Sequence, residues 1–378
     1  MARGARGMQQ DQPDRRDAHG RLRSHAPAGI CRTARGPGER VCGPAVLAFD
    51  IGGANLKVAD GLGWCHAEPF AMWRERTRLT EALTRILRMR PDCQQVVATM
   101  TGEIADCFAS RQDGVQQIVA SVEAACHGCD LGIYLVDGSL VSPAEAIARY
   151  GEAAASNWHA MASLAAALVS PAAGLLVDVG STTIDIIAIG GGVARPVGLD
   201  DVARLASGEL VYTGVERTPV ATIVHELPWR GRLHPVARER FADAQDAWLL
   251  CGLDLAPTSD TADGRPLDAP SASARLARML LLDPEAFTAD DAARAADFVA
   301  ETQARLVAEA LHQVAQRAGG VPEVIVLSGH GGPLALRCLR RLGWEAVPRV
   351  TLEEEAGEAA SRVGPAHALA RIARGVLP

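Results

Sequence analysis

Short apolar runs separated by glycine-containing turns follow the polar first 44 residues of the chain. Runs of this length that are rich in aliphatic residues are typical of β-strands. They predict strands over Ala45–Asp50, Leu56–Asp60, Ala67–Trp73, Gln95–Met100 and Leu131–Val136. Helical spacing of apolar residues predicts helices over Thr77–Met89, Val115–Ala125, Pro143–Tyr150 and Asn157–Val169. This part of the chain is therefore predicted to run β-β-β-α-β-α-β-α.

The same opening then recurs. Gly174–Val179 is an apolar run that ends in an acid and a small-residue turn, and a second run and a triple-glycine turn follow it. The pattern predicts strands over Gly174–Val179, Ile184–Ile189 and Val193–Val197. Because the order of strands and turns repeats while the residues differ, the chain is predicted to form two α/β lobes.

Helical patterns dominate the remainder of the chain. Helices are predicted over Pro235–Cys251, Ala272–Leu282, Ala289–Ala318 and Pro333–Leu342, with a strand over Val324–Leu327 and a loop over Thr258–Pro270. Glu353–Arg374 begins with acids and ends with arginines, an order that suits the dipole of a terminal helix.

Charge is distributed unevenly over the 378 residues. Residues 1–44 carry 9 arginines and 4 acids, so a disordered basic tail is predicted there, whereas the remaining residues carry a net charge of −12. An acidic body argues against general nucleic-acid binding. No apolar run is long enough to cross a membrane, and 9 cysteines, an odd number, fit a reducing cytoplasm better than a disulfide scaffold.

Three glycine-rich turns each follow a predicted strand: Asp50–Asn55, Asp178–Thr183 and Ser328–Gly332. Glycine lets successive backbone N–H groups approach an anion, and serine and threonine add hydroxyl donors. A carboxylate at the strand end can hold Mg²⁺ directly or through water. Asp50 and Asp178 are therefore predicted to orient Mg²⁺, with capping of their own turns as the alternative.

Lys57 is the single lysine among 38 basic residues. It lies on the predicted strand that follows the first glycine-rich turn, where an ammonium group can pair with phosphate. A solvated strand residue is the alternative.

Several segments together resemble a known family. DIGGANLKVAD, TMTGE, AAASNW, VDVGSTTIDI, LVYTGVERTPV and VLSGHGG resemble the hydantoinase/oxoprolinase-like proteins of tetrahydromethanopterin-linked one-carbon metabolism, a group with members in methanofuran synthesis. The resemblance runs from about residue 45 to the C-terminus. The family that the chain resembles is part of the wider superfamily of sugar kinases, heat-shock chaperones and actin.

The resemblance implies two RNase H-like lobes that enclose a phosphate-binding cleft. The expected divisions are 45–172 for the first lobe, 173–356 for the second lobe with a helical insertion, and 357–378 for a C-terminal helix. The implied reaction is a transfer in which the phenol of a glutamyl-tyramine-like acceptor displaces diphosphate from an aminomethylfuran-methyl diphosphate, with Mg²⁺ as cofactor. The acceptor pocket is expected in residues 225–290.

Roles for individual residues follow as hypotheses. Residues predicted to contact phosphate are Gly52, Gly53, Asn55, Gly180, Ser181, Thr182, Arg217, Gly329, His330 and Gly331. Glu103 and Asp185 are candidate bases, and Lys57 is predicted to assist the leaving diphosphate. Arg217 can instead pair with its neighbour Glu216, and Asp185 can instead be a carboxylate bonded to its own hairpin.

Two other functions remain open at this point. One is an ATP-dependent kinase or hydantoinase/oxoprolinase-like enzyme that uses the same cleft. The other is a nucleotide-sensing regulatory protein without turnover. The expected partners are a small-molecule diphosphate and a phenolic acceptor, and oligomers are compatible with the sequence. Cys126 and Cys129 lack a second ligand pair for zinc, and a G-x-S-x-G elbow is absent.

Overall fold

The computed structural model describes residues 45–378, and the tail predicted over 1–44 lies outside them. The first lobe is one mixed sheet with its helices. Its strands are β1 (Val46–Ile51), β2 (Asn55–Ala59), β3 (Cys65–Pro69), β4 (Gln95–Met100), β5 (Asp130–Tyr134) and β6 (Leu140–Val141). Its helices are α1 (Met72–Glu75), α2 (Leu79–Leu87), α3 (Arg111–Ala125), α4 (Pro143–Ala148), α5 (Tyr150–Ala153) and α6 (Asn157–Val169), and Arg76–Arg78 is a 3-10 turn.

The second lobe repeats this design with additional segments. Its strands are β7 (Gly174–Val179), β8 (Ile184–Gly190), β9 (Val193–Ala194), β10 (Leu210–Val211), β11 (Glu226–Trp229), β12 (Arg232–Pro235), β13 (Val324–Gly329) and β14 (Arg349–Thr351). Its helices are α7 (Asp201–Ser207), α8 (Val220–Ile223), α9 (Ala244–Leu250), α10 (Ala269–Met279), α11 (Ala289–Ala318), α12 (Gly332–Leu342), α13 (Leu352–Ala356), α14 (Glu358–Arg362) and α15 (Gly364–Ala373), with a 3-10 turn at Pro284–Ala286.

Both sheets share one topology. The first has the strand order β3-β2-β1-β4-β5-β6, and the second has β10-β8-β7-β13-β14. The opening strand pairs antiparallel with its hairpin partner and parallel with a later strand: β1 with β2 and β4, and β7 with β8 and β13. An antiparallel meander extended by parallel strands is the RNase H-like arrangement. The predicted α/β fold with two such lobes is confirmed.

Strands β1 and β7 are apolar except for Asp50 and Asp178, because each sheet is covered on both faces. Leu47, Phe49 and Ile51 of β1 pack in a core with α2 and α3, while the alternate residues Val46 and Ala48 face a second core. That second core contains residues of α6 and α15 between the two sheets. Many of the helical side chains there are alanine, which lets the helices approach both sheets closely. Helices α6 and α15 thereby join the lobes.

The region between β10 and β13 differs most from expectation. The β11–β12 hairpin was not predicted, and most of the helix predicted over Pro235–Cys251 is an irregular stretch that leads into the short helix α9. These segments pack with α10 and the first turns of α11 in a core of their own. The long helix α11 matches its predicted bounds. It begins after the N-cap residue Thr288, which forms a capping box with Asp291, and it ends at Gly319 in a left-handed conformation.

Two other predicted elements are divided in the structure. The third strand, predicted over Ala67–Trp73, ends at Pro69, and Trp73 lies on the short helix α1. The terminal helix predicted over Glu353–Arg374 is three short helices, because Gly357 (φ +90°) and the approach to Pro365 interrupt it. Within residues 45–378 no helix is both long and apolar enough to span a membrane.

We expect Gly114→Ala to destabilise the fold although it lies within a helix. A Cβ at Gly114 would meet the backbone oxygen of Glu103 at 2.2 Å. The helical advantage of alanine, about 1 kcal/mol, is then outweighed by an overpacking cost of about 1–3 kcal/mol. Gly151→Ala is the matched control, because a Cβ there meets nothing within 4 Å. Urea unfolding that ranked Gly114→Ala at or above the wild type would contradict this packing.

Candidate active site

The two predicted phosphate turns have the same construction. In the first, Asp50 lies opposite Lys57 in the β1–β2 register, and the N–H of Gly52 donates to the carbonyl of Asn55 at 3.0 Å. In the second, Asp178 lies opposite Asp185, and the N–H of Gly180 donates to the carbonyl of Thr183 at 3.0 Å. Each turn therefore presents an acid at the strand end and closes through a glycine.

Not every residue predicted to contact phosphate in these turns has a free backbone N–H group. The N–H groups of Gly52 and Gly180 close their own turns, whereas those of Gly53, Ser181 and Thr182 make no hydrogen bond within residues 45–378. A Cβ on Gly53 would meet nothing within 4 Å, so that backbone faces open space. Gly53, Ser181 and Thr182 are the better candidates for anion contacts.

The charged groups of both hairpins act on one another. Lys57 Nζ lies 3.8 Å from Asp50 Oδ2. Burial raises the pKa of Asp178 to about 6, the negative charge of Asp185 adds to this rise, and the positive charge of Lys57 opposes it. Burial likewise raises the pKa of Asp50, and Asp185 again contributes. The Lys57 and Asp185 charges therefore act on the acids of both hairpins.

An alternating series of charges connects the two candidate bases. Glu103 Oε1 lies 4.0 Å from Arg111 Nε, and Arg111 Nη2 donates to Asp201 Oδ2 at 2.8 Å. Asp201 Oδ1 lies 3.5 Å from Arg204 Nη1, and Arg204 also pairs with Asp185. The series runs from α3 of the first lobe to β8 of the second. Each buried carboxylate lies near an arginine of its own lobe, and the Arg111–Asp201 pair joins the two lobes.

Asp185 and Glu103 differ in what holds them. The Asp185 carboxylate is bound by Arg204, whose guanidinium lies 4.2 Å from the Trp158 ring centroid. Glu103 is 1% exposed, and neither of its carboxylate oxygens has a hydrogen-bond partner within the described residues. Burial raises the pKa of Glu103 to about 7, and Arg111 opposes this rise only in part. Glu103 is therefore the candidate whose proton is the easier to exchange near neutral pH.

The segment 212–219 is held tightly against the second hairpin. The N–H groups of Val215 and Arg217 donate to the carbonyls of Gly180 and Ser181 at 3.2 and 2.9 Å. A Cβ on Gly214 would lie 2.4 Å from the Ser181 carbonyl carbon, so this approach requires glycine. From α11, the buried Gln303 amide donates to the Gly214 carbonyl at 2.9 Å. The segment thus connects the long helix to the phosphate turn.

The third glycine-rich turn packs against the second. A Cβ on Gly329 would lie 2.2 Å from the Val179 oxygen, and one on Gly331 would lie 2.1 Å from Val179 Cγ1. Both glycines are therefore required for packing, whatever they contact in addition. His330 Nε2 lies 2.7 Å from Glu216 Oε1, so Glu216 pairs with His330 and not with Arg217.

The acids of the hairpins fit Mg²⁺. Asp50 Oδ1 is buried without a hydrogen-bond partner among the described residues, an arrangement that is costly unless a cation is present. No group of three or more acidic, histidine or cysteine ligands occurs in residues 45–378. Mg²⁺ commonly uses one or two carboxylates and takes its remaining ligands from water and phosphate. Asp50 and Asp178 are the residues that would hold it.

Three residues at or beside the site could not be recognised from the sequence. Trp73, Arg204 and Gln303 lie at or beside the site through tertiary contacts.

A cavity of about 460 Å³ lies at the opposite ends of β7 and β8 from Asp178 and Asp185. It therefore does not belong to the hairpin site.

Comparison with known proteins identifies the family. The hydantoinase/oxoprolinase family matches residues 94–371. The chain belongs to this family. A relative from Methanocaldococcus jannaschii named (4-{4-[2-(gamma-L-glutamylamino)ethyl]phenoxymethyl}furan-2-yl)methanamine synthase is 30% identical over 334 residues, which cover 86% of this chain and 97% of that protein. A protein of the same name from Methanococcus vannielii is 30% identical over 44% of this chain and 75% of its own length.

Solved structures similar to this hydantoinase/oxoprolinase family member are distant. Component A of the (R)-2-hydroxyglutaryl-CoA dehydratase of Acidaminococcus fermentans has a TM-score of 0.41 and 14% identity, and covers 87% of this chain and 98% of its own. The activator of the 2-hydroxyisocaproyl-CoA dehydratase from Clostridium difficile has a TM-score of 0.40 and 13% identity, with coverages of 88% and 98%. Nothing about activity follows from similarity at this level.

We expect the free energy of unfolding to fall as pH rises from about 4.5 to 7. The unfolded state loses the Glu103 proton near its usual pKa of 4.5, whereas the folded state keeps it up to about 7. The free energy of unfolding therefore falls by up to about 3 kcal/mol between pH 4.5 and pH 7. Asp178 acts in the same direction at lower pH.

Urea unfolding at pH 5 and pH 8 tests this dependence with Glu103→Gln. We expect the variant to lose less stability than the wild type between these pH values. Glu123→Gln, which removes an exposed acid of α3, should follow the wild type. Equal pH dependence in Glu103→Gln and the wild type would exclude a neutral, buried Glu103.

Proposed function

We propose that this protein is a transferase that forms an aryl-alkyl ether. It joins an aminomethylfuran-methyl diphosphate to the phenol of a glutamyl-tyramine-like acceptor and releases diphosphate. The observation that carries the proposal is the pair of acid-ended phosphate turns in a chain 30% identical to 97% of a relative whose name describes a phenoxymethylfuran product. The reaction belongs to the synthesis of a methanofuran-type cofactor.

The bonds and charges of the reaction balance without another reactant. The bond between the furan-bearing methylene carbon and the diphosphate oxygen breaks, and the phenol oxygen forms a bond to the same carbon. The phenol proton passes to a base, and both electrons of the broken bond leave with diphosphate. ATP is not consumed. The furan ring stabilises positive charge on the displaced carbon, so much of the barrier lies in the departure of diphosphate.

The two turns would assist that departure. The N–H groups of Gly53, Ser181 and Thr182, which make no hydrogen bond within residues 45–378, would donate to the diphosphate, and Lys57 Nζ would add a positive charge. Mg²⁺, when bound by Asp50 and Asp178, would neutralise negative charge on the leaving group. Each of these interactions strengthens as charge accumulates on the leaving oxygen.

Glu103 is the base we assign to the phenol proton. Its pKa of about 7 lies in the range where a carboxylate accepts a proton at neutral pH. Asp185 is already bound by Arg204, which favours a positioning role for that carboxylate. Because Glu103 is 1% exposed, contact with the phenol requires the segment 101–110 to shift when the acceptor binds.

Mass spectrometry of the products tests the reaction. The protein is incubated with the aminomethylfuran diphosphate, γ-glutamyltyramine and Mg²⁺, with and without ATP. We expect the ether and diphosphate in equal amounts, independent of ATP. Formation of ADP would replace the proposal with an ATP-dependent kinase or hydantoinase/oxoprolinase-like activity. Nucleotide binding without any product would indicate a regulatory protein.

We expect Lys57→Gln to lower kcat by about 10²–10³, the effect of removing one preorganised donor from a transition state. Lys57→Arg retains the charge and should recover part of the rate, although its planar geometry differs. Steady-state rates of diphosphate release give the comparison, and circular dichroism checks that each variant is folded. An unchanged kcat in Lys57→Gln would remove the residue from the reaction.

We expect removal of divalent cations to abolish turnover and Mg²⁺ to restore it. Asp178→Asn should raise the Mg²⁺ concentration needed for half-maximal rate by tenfold or more, because one carboxylate charge is lost. Asp92→Asn, at an exposed acid outside the hairpins, is the control and should leave the Mg²⁺ dependence unchanged. Full activity in a chelator would contradict the assignment of Asp50 and Asp178.

A further inference from the structure

Trp73 lies beside the first phosphate turn. The N–H of its neighbour Met72 donates to the carbonyl of Gly53 at 2.9 Å, and the N–H of Phe70 donates to the carbonyl of Ala54 at 2.9 Å. The Cys107 thiol donates to the Met72 carbonyl at 3.4 Å and holds α1 from the other side. Met72 is buried, whereas Trp73 is 37% exposed. A large aromatic surface is thus fixed next to Gly53 and left partly open.

Arg217 reaches Trp73 from the second lobe. Its N–H is bonded to the carbonyl of Ser181 in the second phosphate turn. Its guanidinium carbon lies 5.1 Å from the centroid of the Trp73 ring, within the range of a cation–π contact. The pair therefore bridges the two phosphate turns with one aromatic ring and one positive charge.

The guanidinium of Arg217 retains unused donors. Its ion-pair partner within residues 45–378 is Asp260, at 3.3 Å from Nη1, and the Asp260 side chain is 67% exposed. Asp260 belongs to the segment 225–290, which was expected to carry the acceptor pocket. Its backbone carbonyl is held by the Gln245 amide at 2.9 Å. An arginine with one weak, exposed partner has donors left for a ligand.

A second tryptophan–arginine pair, Trp64 and Arg90, provides a comparison in which the arginine is engaged with carboxylates. Arg90 lies 5.4 Å from the Trp64 ring centroid. Its guanidinium donates to Asp60 at 2.9 Å and to both oxygens of Asp92 at 3.2 Å. These carboxylates occupy most of its donors. The Trp64–Arg90 pair is satisfied, and the Trp73–Arg217 pair is not.

We propose that Trp73 and Arg217 form the binding site for the phenol ring of the acceptor. Trp73 contacts the ring, and Arg217 places a positive charge beside the ring oxygen. The inference rests on the proposed function for the identity of the ligand. A phenol has a pKa of about 10 in water, and a neighbouring guanidinium favours its phenolate form. The pair therefore acts at the reacting atom, between the two turns that hold diphosphate.

Calorimetric titration with γ-glutamyltyramine, in the absence of the furan diphosphate, measures ring binding without turnover. We expect Trp73→Ala to weaken binding about tenfold, which corresponds to about 1.4 kcal/mol and is the scale of an aromatic contact. Trp73→Phe should lose less than threefold. Trp64→Ala is the matched control and should bind as the wild type does.

The pH profile of kcat at saturating substrates tests the charge, because kcat reports ionisations within the enzyme–substrate complex. In Arg217→Gln the limb that reports phenol ionisation should move up by about one pH unit, and Arg217→Lys should move it less. A fall in kcat by the same factor at every pH would assign Arg217 to diphosphate only and overturn its part of the proposal.

The outcomes separate this inference from the proposed reaction. Ether formation together with unchanged γ-glutamyltyramine affinity in Trp73→Ala would overturn the ring site and leave the reaction standing. Weakened affinity in Trp73→Ala without ether formation would support the ring site and overturn the reaction. Failure of the wild type to bind γ-glutamyltyramine would overturn the ring site whatever the products.

Discussion

Burial raises the pKa of the Asp50, Asp178 and Asp185 carboxyl groups, the charge of Asp185 adds to the rise at the other two, and Lys57 on the strand next to Asp50 opposes the rise at all three. Such an arrangement opposes folding, because charged groups lose their water and repel each other. It persists because rigid elements carry every member: each acid lies on a central strand of a sheet whose two faces are packed. A cation bound at these acids, together with the phosphate that it carries, would offset their negative charge.

The same constraint explains the contacts between the lobes. Helices α6 and α15 fill the space between the sheets with small side chains, and so fix the distance between the hairpins. The series from Glu103 through Arg111, Asp201 and Arg204 to Asp185 then distributes charge across that fixed gap. Packing sets the distance between the hairpins, and the ion pairs reduce the free-energy cost of burying the acids at that distance.

Much of the architecture follows from local pattern. The strands of both hairpins, helix α6 and the 30-residue helix α11 lie at or within a residue or two of their predicted bounds. Each has a clear apolar period and a recognisable start or stop, such as the Thr288 cap of α11. The failures are equally local in cause. Strands β11 and β12 are four residues each, too short for alternation to be recognised, and the C-terminal helices are broken by a glycine and a proline.

The sequence by itself determined that two acid-ended glycine turns, a single lysine and the segment 212–219 are motifs of the hydantoinase/oxoprolinase family, because each motif is one short continuous segment of the chain. Tertiary structure alone decided the partners of these residues. Glu216 pairs with His330, Arg217 with Trp73, and Asp185 with Arg204. Two of these pairs join residues more than 100 positions apart, and such a contact leaves no periodicity in the sequence. Tertiary contacts likewise distinguish Glu103 from Asp185, because Arg204 binds the Asp185 carboxylate whereas neither carboxylate oxygen of Glu103 has a hydrogen-bond partner among the described residues.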